Sequence, residues 1–156
     1  MFNKILSVVM PRTHRDFLAG TILTTLPNHD EEVRDAATKT LLRCHHDEVT
    51  VHTVATMMHQ VASRSYEEGA CYAFKIASQA ATLHERIYNP ARVTEEARAI
   101  GSLANGAVDT ALECIAKVAE SDPGRARNIL IECAERSDMH RRIRGLARSQ
   151  LQLKVA

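Results

Sequence analysis

Apolar residues recur every three or four positions through residues 30–45, in the segment DEEVRDAATKTLLRCH. On a helix of 3.6 residues per turn, this spacing places them in one stripe. The predicted stripe consists of Val33, Ala36, Ala37, Thr40, Leu41 and Cys44. Acidic residues fill the first turn, where the helix dipole favours negative charge. The segment therefore predicts an amphipathic helix with this stripe buried.

The same periodicity predicts helices through most of the chain. Alanine is abundant, whereas aromatic residues make up only 4% of the sequence, a composition that favours close helix packing over a sheet. Start signals at Asp47, Ser65, Asp122-Pro123 and Ser137-Asp138 separate the later helices. The segment 91–120 is interrupted by Gly101 and Asn105-Gly106. It predicts either one long helix bent at Asn105-Gly106 or two helices joined by a tight turn there.

If that segment divides, the helices pair into four hairpins, at residues 12–45, 47–88, 91–120 and 123–154. Comparable positions in their second helices, Val33, Ala70, Ala107 and Ile143, are 37, 37 and 36 residues apart. Periods of this length are typical of helical solenoids. We expect one all-α domain over residues 1–156, built as a short α-solenoid of about four hairpins. The alternative is an irregular bundle of six or seven helices.

One pattern in the first hairpin returns in the last. Val33-Arg34-x-x-Ala37-x-x-x-Leu41 recurs as Ile143-Arg144-x-x-Ala147-x-x-x-Leu151. The pattern resembles the second helix of a HEAT-type repeat, and the resemblance implies a right-handed solenoid of stacked hairpins. In such a stack Arg34 and Arg144 would lie at the edges between repeats. We therefore expect Arg34→Ala to destabilise the fold more than Arg144→Ala.

Composition and cysteine content indicate a soluble globular protein of a reducing compartment. Hydrophobic residues make up 45% and charged residues 25% of the chain, which is typical of a soluble globular protein. No apolar run approaches the ~20 residues that span a membrane. The four cysteines form no C-x-x-C pair and are read as reduced, apolar side chains. They predict a reducing compartment such as the cytoplasm.

Histidines are the candidate metal ligands. His45, His46, His52 and His59 lie close together in sequence, beside Asp47. However, His52 and His59 are two helical turns apart, roughly 10 Å, so one ion cannot bind both. The sequence also contains no glycine-rich phosphate loop, no nucleophile motif and no paired zinc cysteines. We therefore expect no metal, no cofactor and no catalytic residue.

Residues 125–156 form a basic C-terminal hairpin. They contain 8 Lys/Arg and 3 Asp/Glu, whereas residues 1–124 contain 12 and 16. Arg141, Arg144 and Arg148 share one face of the last predicted helix. A row of arginines can bind phosphates or an acidic protein surface. The candidate contact residues are Arg125, Arg127, Arg141, Arg144 and Arg148.

These observations predict a non-enzymatic module or adaptor that binds another protein. The alternative is binding of nucleic acid or another polyanion by the basic C-terminal hairpin. A third hypothesis is that the protein is a metal-dependent enzyme that uses the region His45–His59.

Overall fold

Six helices form the described part of this computed structural model, which covers residues 31–44 and 47–153. They are α1 (Glu31–Cys44), α2 (Glu48–Arg64), α3 (Tyr66–Ile87), α4 (Glu95–Ser121), α5 (Pro123–Glu135) and α6 (Arg141–Leu153). These ranges contain no strand, so the predicted all-α class is confirmed. The first helix of the predicted hairpin at residues 12–45 lies outside the described residues. None of the described helices is long and apolar enough to cross a membrane.

Helix α3 is the centre of this arrangement. It contacts each of the other five helices, and its closest neighbour along its length is α4. Small side chains make this possible: Ala70, Ala73, Ala77 and Ala80 are fully buried on α3. In a linear solenoid each repeat contacts only its neighbours. A helix that contacts all the others favours the bundle alternative, and the solenoid stays a prediction.

Polar caps begin the helices where the sequence indicates. The side chain of Asp47 accepts a hydrogen bond from the Thr50 amide, and Asp122 does the same for Arg125. Ser65 is both the C-cap of α2 and the N-cap of α3, so one residue joins the two helices. These caps satisfy amide groups that have no partner within the helix. The predicted starts of α2, α3 and α5 are confirmed.

The predicted buried stripe of α1 is wrong by one residue. Val33 is 47% exposed, whereas Arg34 is only 3% exposed, and the buried face continues through Thr38 and Leu42. The helix is thus rotated by about 100° from the predicted orientation. Polar contacts explain this orientation, because the Arg34 guanidinium lies over the Tyr72 ring of α3 and the Thr38 hydroxyl is hydrogen-bonded to the Tyr72 hydroxyl. Apolar periodicity alone could not reveal these contacts.

Of the two alternatives predicted for the segment 91–120, the structure has the single long helix. Helix α4 continues through Asn105 and Gly106, so the alternative of a tight turn there is wrong, and the count of four hairpins that depended on it is wrong as well. Both residues are exposed, while the buried stripe continues on either side of them through Ala104 and Ala107. Burial along α3 therefore outweighs the cost of about 1 kcal/mol for a glycine in a helix.

Two helix starts also differ from the prediction. Helix α4 begins at Glu95 because the Thr94 hydroxyl caps the Ala97 amide, and Val93 is left 38% exposed. Helix α6 begins at Arg141 rather than after Asp138, because the Asp138 carboxylate binds Arg136 instead of capping the helix.

Candidate functional site

A cleft of about 260 Å³ lies between α1 and α3. Three basic side chains line it, Lys39 and Arg43 from α1 and Arg86 from α3. We call this cleft the cationic groove. Its remaining walls are Leu42, Ser78, Gln79, Thr82, Leu83 and Asp138. A second cleft of about 340 Å³ shares Lys39, Ser78, Gln79 and Asp138 with it, so the two clefts adjoin each other.

The two helices that form the groove run in the same direction. Arg34 lies near Glu68, Asp35 binds Lys75, and Arg43 and Arg86 line the same cleft. Later residues of α1 thus lie beside later residues of α3, so the two helices are parallel. Lys39 and Arg43 are one turn apart on α1, so both side chains project toward the same side. This geometry brings cations of two helices together at one end of the groove.

Tyr72 holds α1 in this position. Its hydroxyl lies 2.6 Å from the Thr38 hydroxyl, which itself donates to the Arg34 carbonyl oxygen at 2.9 Å. Because the single Thr38 proton is used there, Tyr72 donates to Thr38. Burial raises the pKa of Tyr72 to about 12. The phenol is therefore neutral and acts as a donor at every physiological pH.

A lysine clamp joins α3 to α1 beside the second cleft. Lys75 on α3 lies 2.5 Å from a carboxylate oxygen of both Glu31 and Asp35 on α1. Burial lowers the pKa of Lys75, but the hydrogen bonds and charges of the two carboxylates outweigh this and raise it. The hydrogen bond from Lys75 lowers the pKa of Glu31. One ammonium group faces two carboxylates, so the clamp carries a net negative charge.

The loop between α5 and α6 forms the third wall. Its Asp138 carboxylate accepts two hydrogen bonds from the Arg136 guanidinium, at 2.9 and 2.6 Å. This pairing lowers the pKa of Asp138. The His140 amide donates to the Ser78 hydroxyl at 2.7 Å, which fixes the loop against α3. The one acidic residue of the cationic groove is thus already neutralised by a partner.

Lys39, Arg43 and Arg86 have no such partner. None of them makes a hydrogen bond or ion pair through its side chain within the described ranges 31–44 and 47–153. All three are exposed. Like charges one turn apart on a helix are destabilising, and Lys39 and Arg43 are such a pair. The groove therefore concentrates positive charge that the described part of the protein leaves uncompensated.

The predicted contact arginines mostly bind other helices. Arg125 donates to Glu67 on α3 and lies 3.5 Å from Glu132, and the Glu67 hydrogen bond raises the Arg125 pKa. Arg127 is exposed and makes no ion pair with any described residue. These two arginines lie on the first turns of α5.

The three predicted contact arginines of α6 have different surroundings. Arg141 is 81% exposed and lies 3.3 Å from Glu85 on α3. Arg148 donates to the Ala134 carbonyl at 3.2 Å, which satisfies an oxygen in the last turn of α5. Arg144 is half-buried, and its Nε has no hydrogen-bond partner. The predicted face exists, but two of its members join α6 to its neighbours.

The candidate metal ligands do not come together in the described residues. His52 and His59 are both exposed on α2, while His45 and His46 lie outside the described ranges. Residues 31–44 and 47–153 contain no group of three or more His, Cys, Asp or Glu side chains that could hold an ion.

A different histidine has a defined role. The His140 Nδ1 accepts a hydrogen bond from the Arg142 amide at 3.2 Å, which leaves its proton on Nε2. That nitrogen lies 3.0 Å from the Glu85 carboxylate, although the alignment is too poor for a regular hydrogen bond. The imidazole thus caps α6 through Nδ1, and its Nε2 faces Glu85 of α3.

Sequence reasoning missed the cationic groove. One signal was present: Lys39 and Arg43 follow helical spacing on α1, and Gln79, Thr82 and Arg86 follow it on α3. What the sequence lacks is the information that these two faces meet.

Comparison of the chain with protein-family models, with curated proteins and with solved structures found no match.

Proposed function

We propose that the protein is a non-enzymatic interaction module that binds an acidic segment of a partner protein in the cationic groove. The observation that carries the proposal is the convergence of Lys39, Arg43 and Arg86 on one cleft without a carboxylate partner among the described residues. Their mutual repulsion costs stability, and an anionic ligand would remove that cost. Charge complementarity of this kind sets both the rate and the specificity of association.

The hydroxyl groups of the groove support a binding role over a catalytic one. Ser78 is buried and accepts the His140 amide, and Thr82 donates to the Ser78 carbonyl at 2.9 Å. A nucleophilic hydroxyl needs a general base within hydrogen-bond distance. Among the described residues, neither hydroxyl has a histidine or carboxylate side chain in that position.

The proposal depends on α1 and α3 alone. A solenoid arrangement, the HEAT-type resemblance and a cytoplasmic location stay predictions. They would place the groove on a larger scaffold without changing its charge.

The test is a binding titration of the full chain with a short fluorescein-labelled peptide rich in Glu, followed by fluorescence anisotropy at low and high salt. We expect salt-sensitive binding. The triple variant Lys39→Ala/Arg43→Ala/Arg86→Ala should raise the Kd at least about tenfold, which corresponds to about 1.4 kcal/mol.

The matched control removes one lysine and two arginines elsewhere on the described surface. Arg92, Arg98 and Lys117 are exposed and do not line the groove. Among the described residues, Lys117 bears only an exposed pair with Glu120, which contributes little to stability. The control variant Arg92→Ala/Arg98→Ala/Lys117→Ala should bind like the parent. Equal losses in both triple variants would show that only net charge matters, and the proposal would be rejected.

Nucleic-acid binding by the basic C-terminal hairpin stays the alternative prediction. A labelled duplex tests it in the same titration, with the variant Arg141→Ala/Arg144→Ala/Arg148→Ala. Tighter binding of the duplex than of the peptide, lost in that variant, would favour the alternative.

A further inference from the structure

The cationic groove has a composition suited to one compact, doubly charged anion. Arg43 and Arg86 each carry a planar guanidinium fork, and Lys39 adds an ammonium group between the same walls. A carboxylate brings one negative charge and two oxygens. A phosphate monoester brings a charge of about −1.5 to −2 and three strongly accepting oxygens. Three cations therefore match a phosphate better than a single carboxylate.

The groove also limits how many phosphates can bind. The adjoining second cleft is lined by Asp35 and Lys75, which with Glu31 form the lysine clamp, a cluster with a net negative charge. Lys75 precedes Arg86 by 11 residues on α3, an axial separation of about 16 Å at 1.5 Å per residue. A nucleic-acid strand laid along both clefts would bring further phosphates toward these carboxylates. Within the two clefts, the cations without a carboxylate partner among the described residues are Lys39, Arg43 and Arg86, and this single cluster is suited to an isolated phosphate.

The walls do not favour a nucleobase or a bilayer. No aromatic side chain of residues 31–44 or 47–153 lines either cleft, so these residues offer bases no stacking surface there. The apolar walls of the cationic groove are Leu42, which is buried, and Leu83, which is half-buried, and neither projects as a membrane anchor. A peptide carrying one phosphorylated side chain fits these constraints, because clusters of arginine are a recurrent means of phosphopeptide recognition.

We propose that the cationic groove recognises a phosphorylated serine, threonine or tyrosine side chain of a partner protein. This inference rests on the proposed function and specifies the acidic group that it binds. The two arginines hold the phosphate oxygens through paired N–H groups, and Lys39 neutralises the remaining charge. The peptide chain on either side of the phosphate follows the cleft over Gln79 and Thr82.

The test uses three degenerate peptide libraries that are identical except at one fixed position, which is serine, glutamate or phosphoserine. The full chain is titrated with each library, and binding is followed by fluorescence polarisation. We expect the phosphoserine library to bind at least ten times more tightly than the glutamate library, and the serine library to show no saturable binding. Inorganic phosphate should compete, and acetate at the same ionic strength should not.

Two variants separate recognition of a phosphate from simple attraction. Arg43→Lys/Arg86→Lys keeps the charge but removes the guanidinium forks. It should weaken phosphoserine binding severalfold and glutamate binding less, because a phosphate can accept from both forks and a carboxylate has oxygens for only one. The variant Arg92→Ala/Arg98→Ala/Lys117→Ala should behave as the parent. Circular dichroism of each variant confirms that the helices are retained.

The outcomes distinguish the two proposals. Equal affinity for the glutamate and phosphoserine libraries would overturn the phosphate inference and leave an acidic-segment module. Absence of binding to either library at low salt would overturn both. Displacement of the phosphopeptides by a nucleic-acid duplex at lower concentration than by inorganic phosphate would assign the groove to nucleic acid and reject the inference.

Discussion

The guanidinium carbon of Arg34 lies over the Tyr72 ring, 4.7 Å from its centre. Arg34 is 3% exposed, its nearest carboxylate oxygen is 3.8 Å away on Glu68, and its Nε has no hydrogen-bond partner. An aromatic face therefore replaces much of the water that this cation loses. Helix α1 is attached to α3 through a buried charge, and the groove depends on that attachment.

Removing Arg34 should loosen α1. We expect Arg34→Ala to lower the free energy of unfolding by about 2–3 kcal/mol, because it removes a buried side chain and its contact with the ring. Arg144→Ala, at a half-buried position, should cost at least about 1 kcal/mol less. Urea denaturation gives both values. Arg34→Met, which fills similar space without charge, isolates the cation–ring contact, and parent-like stability of that variant would show that the contact contributes nothing.

Tyr72 should make the fold sensitive to alkaline pH. Its pKa is raised from 10.0 to about 12, so the folded state keeps the phenol proton that the unfolded chain releases first. The stabilisation is complete below pH 10 and is lost as pH rises toward 12, by about 2–3 kcal/mol at about 1.4 kcal/mol per unit. Urea midpoints of the parent and of Tyr72→Phe between pH 9 and pH 12 provide the measurement.

At neutral pH, Tyr72→Phe should lower the free energy of unfolding by about 1 kcal/mol, because the variant lacks the hydrogen bond to Thr38. Above pH 10, its free energy of unfolding should fall less steeply than that of the parent. Tyr88→Phe is the control, because Tyr88 is 45% exposed. Parallel alkaline curves for the parent and Tyr72→Phe would contradict the prediction.

The lysine clamp should contribute stability that acid removes. The pKa of Glu31 is lowered by its hydrogen bond from Lys75, so this contribution is present above the ordinary value of 4.5. It is lost as pH falls through the lowered pKa of the folded state. We expect Lys75→Met to cost about 1–3 kcal/mol at neutral pH, since Asp35 is left half-buried without its cation.

Between neutral pH and pH 3, Lys75→Met should lose less stability than the parent does. Urea midpoints across this range test the difference. Lys117→Met removes an exposed pair with Glu120 and should follow the parent curve. Identical acid dependence of the parent and Lys75→Met would show that the clamp is not the acid-sensitive group.

Substitution of two glycines by alanine should change the stability of the protein in opposite directions. A Cβ at Gly69 would lie 2.6 Å from the Ala62 Cα, a backbone atom that cannot move aside cheaply, whereas a Cβ at Gly106 would meet nothing within 4 Å. Gly69→Ala should destabilise the protein by about 1–3 kcal/mol. Gly106→Ala should stabilise it by about 0.5–1 kcal/mol through helix propensity. Thermal melts of both variants measure the contrast, and a destabilising Gly106→Ala would argue against a continuous α4.

Much of the local structure could be predicted from the sequence, because caps act over three residues. Ser65 and Asp122 indicated the starts of α3 and α5, and apolar spacing indicated α2 and the rest of α3. The rotation of α1 could not be predicted in this way. Val33 is apolar and Arg34 is charged, yet Arg34 is buried because a tyrosine 38 positions later accepts its charge.

The groove depends on long-range pairing of the same kind. Lys39 and Arg86 are far apart in sequence, and each alone has the spacing of an ordinary exposed residue on a helix. The two copies of the V/I-R-x-x-A-x-x-x-L pattern illustrate the limit. Ile143 is 1% exposed, but its counterpart Val33 is 47% exposed, so identical local patterns present different faces to the core. The side chains of the neighbouring helix decide which face is buried.

Ser65 has a consequence for how the chain folds. Its amide donates to the Val61 carbonyl at the end of α2, and its hydroxyl accepts the Glu68 amide at the start of α3. With one residue between them, neither helix can unwind at this end without disturbing the other. Contacts between such neighbours close short loops, which form within microseconds. The two helices should thus exchange their amide hydrogens as one cooperative unit and serve as the nucleus on which α4 condenses.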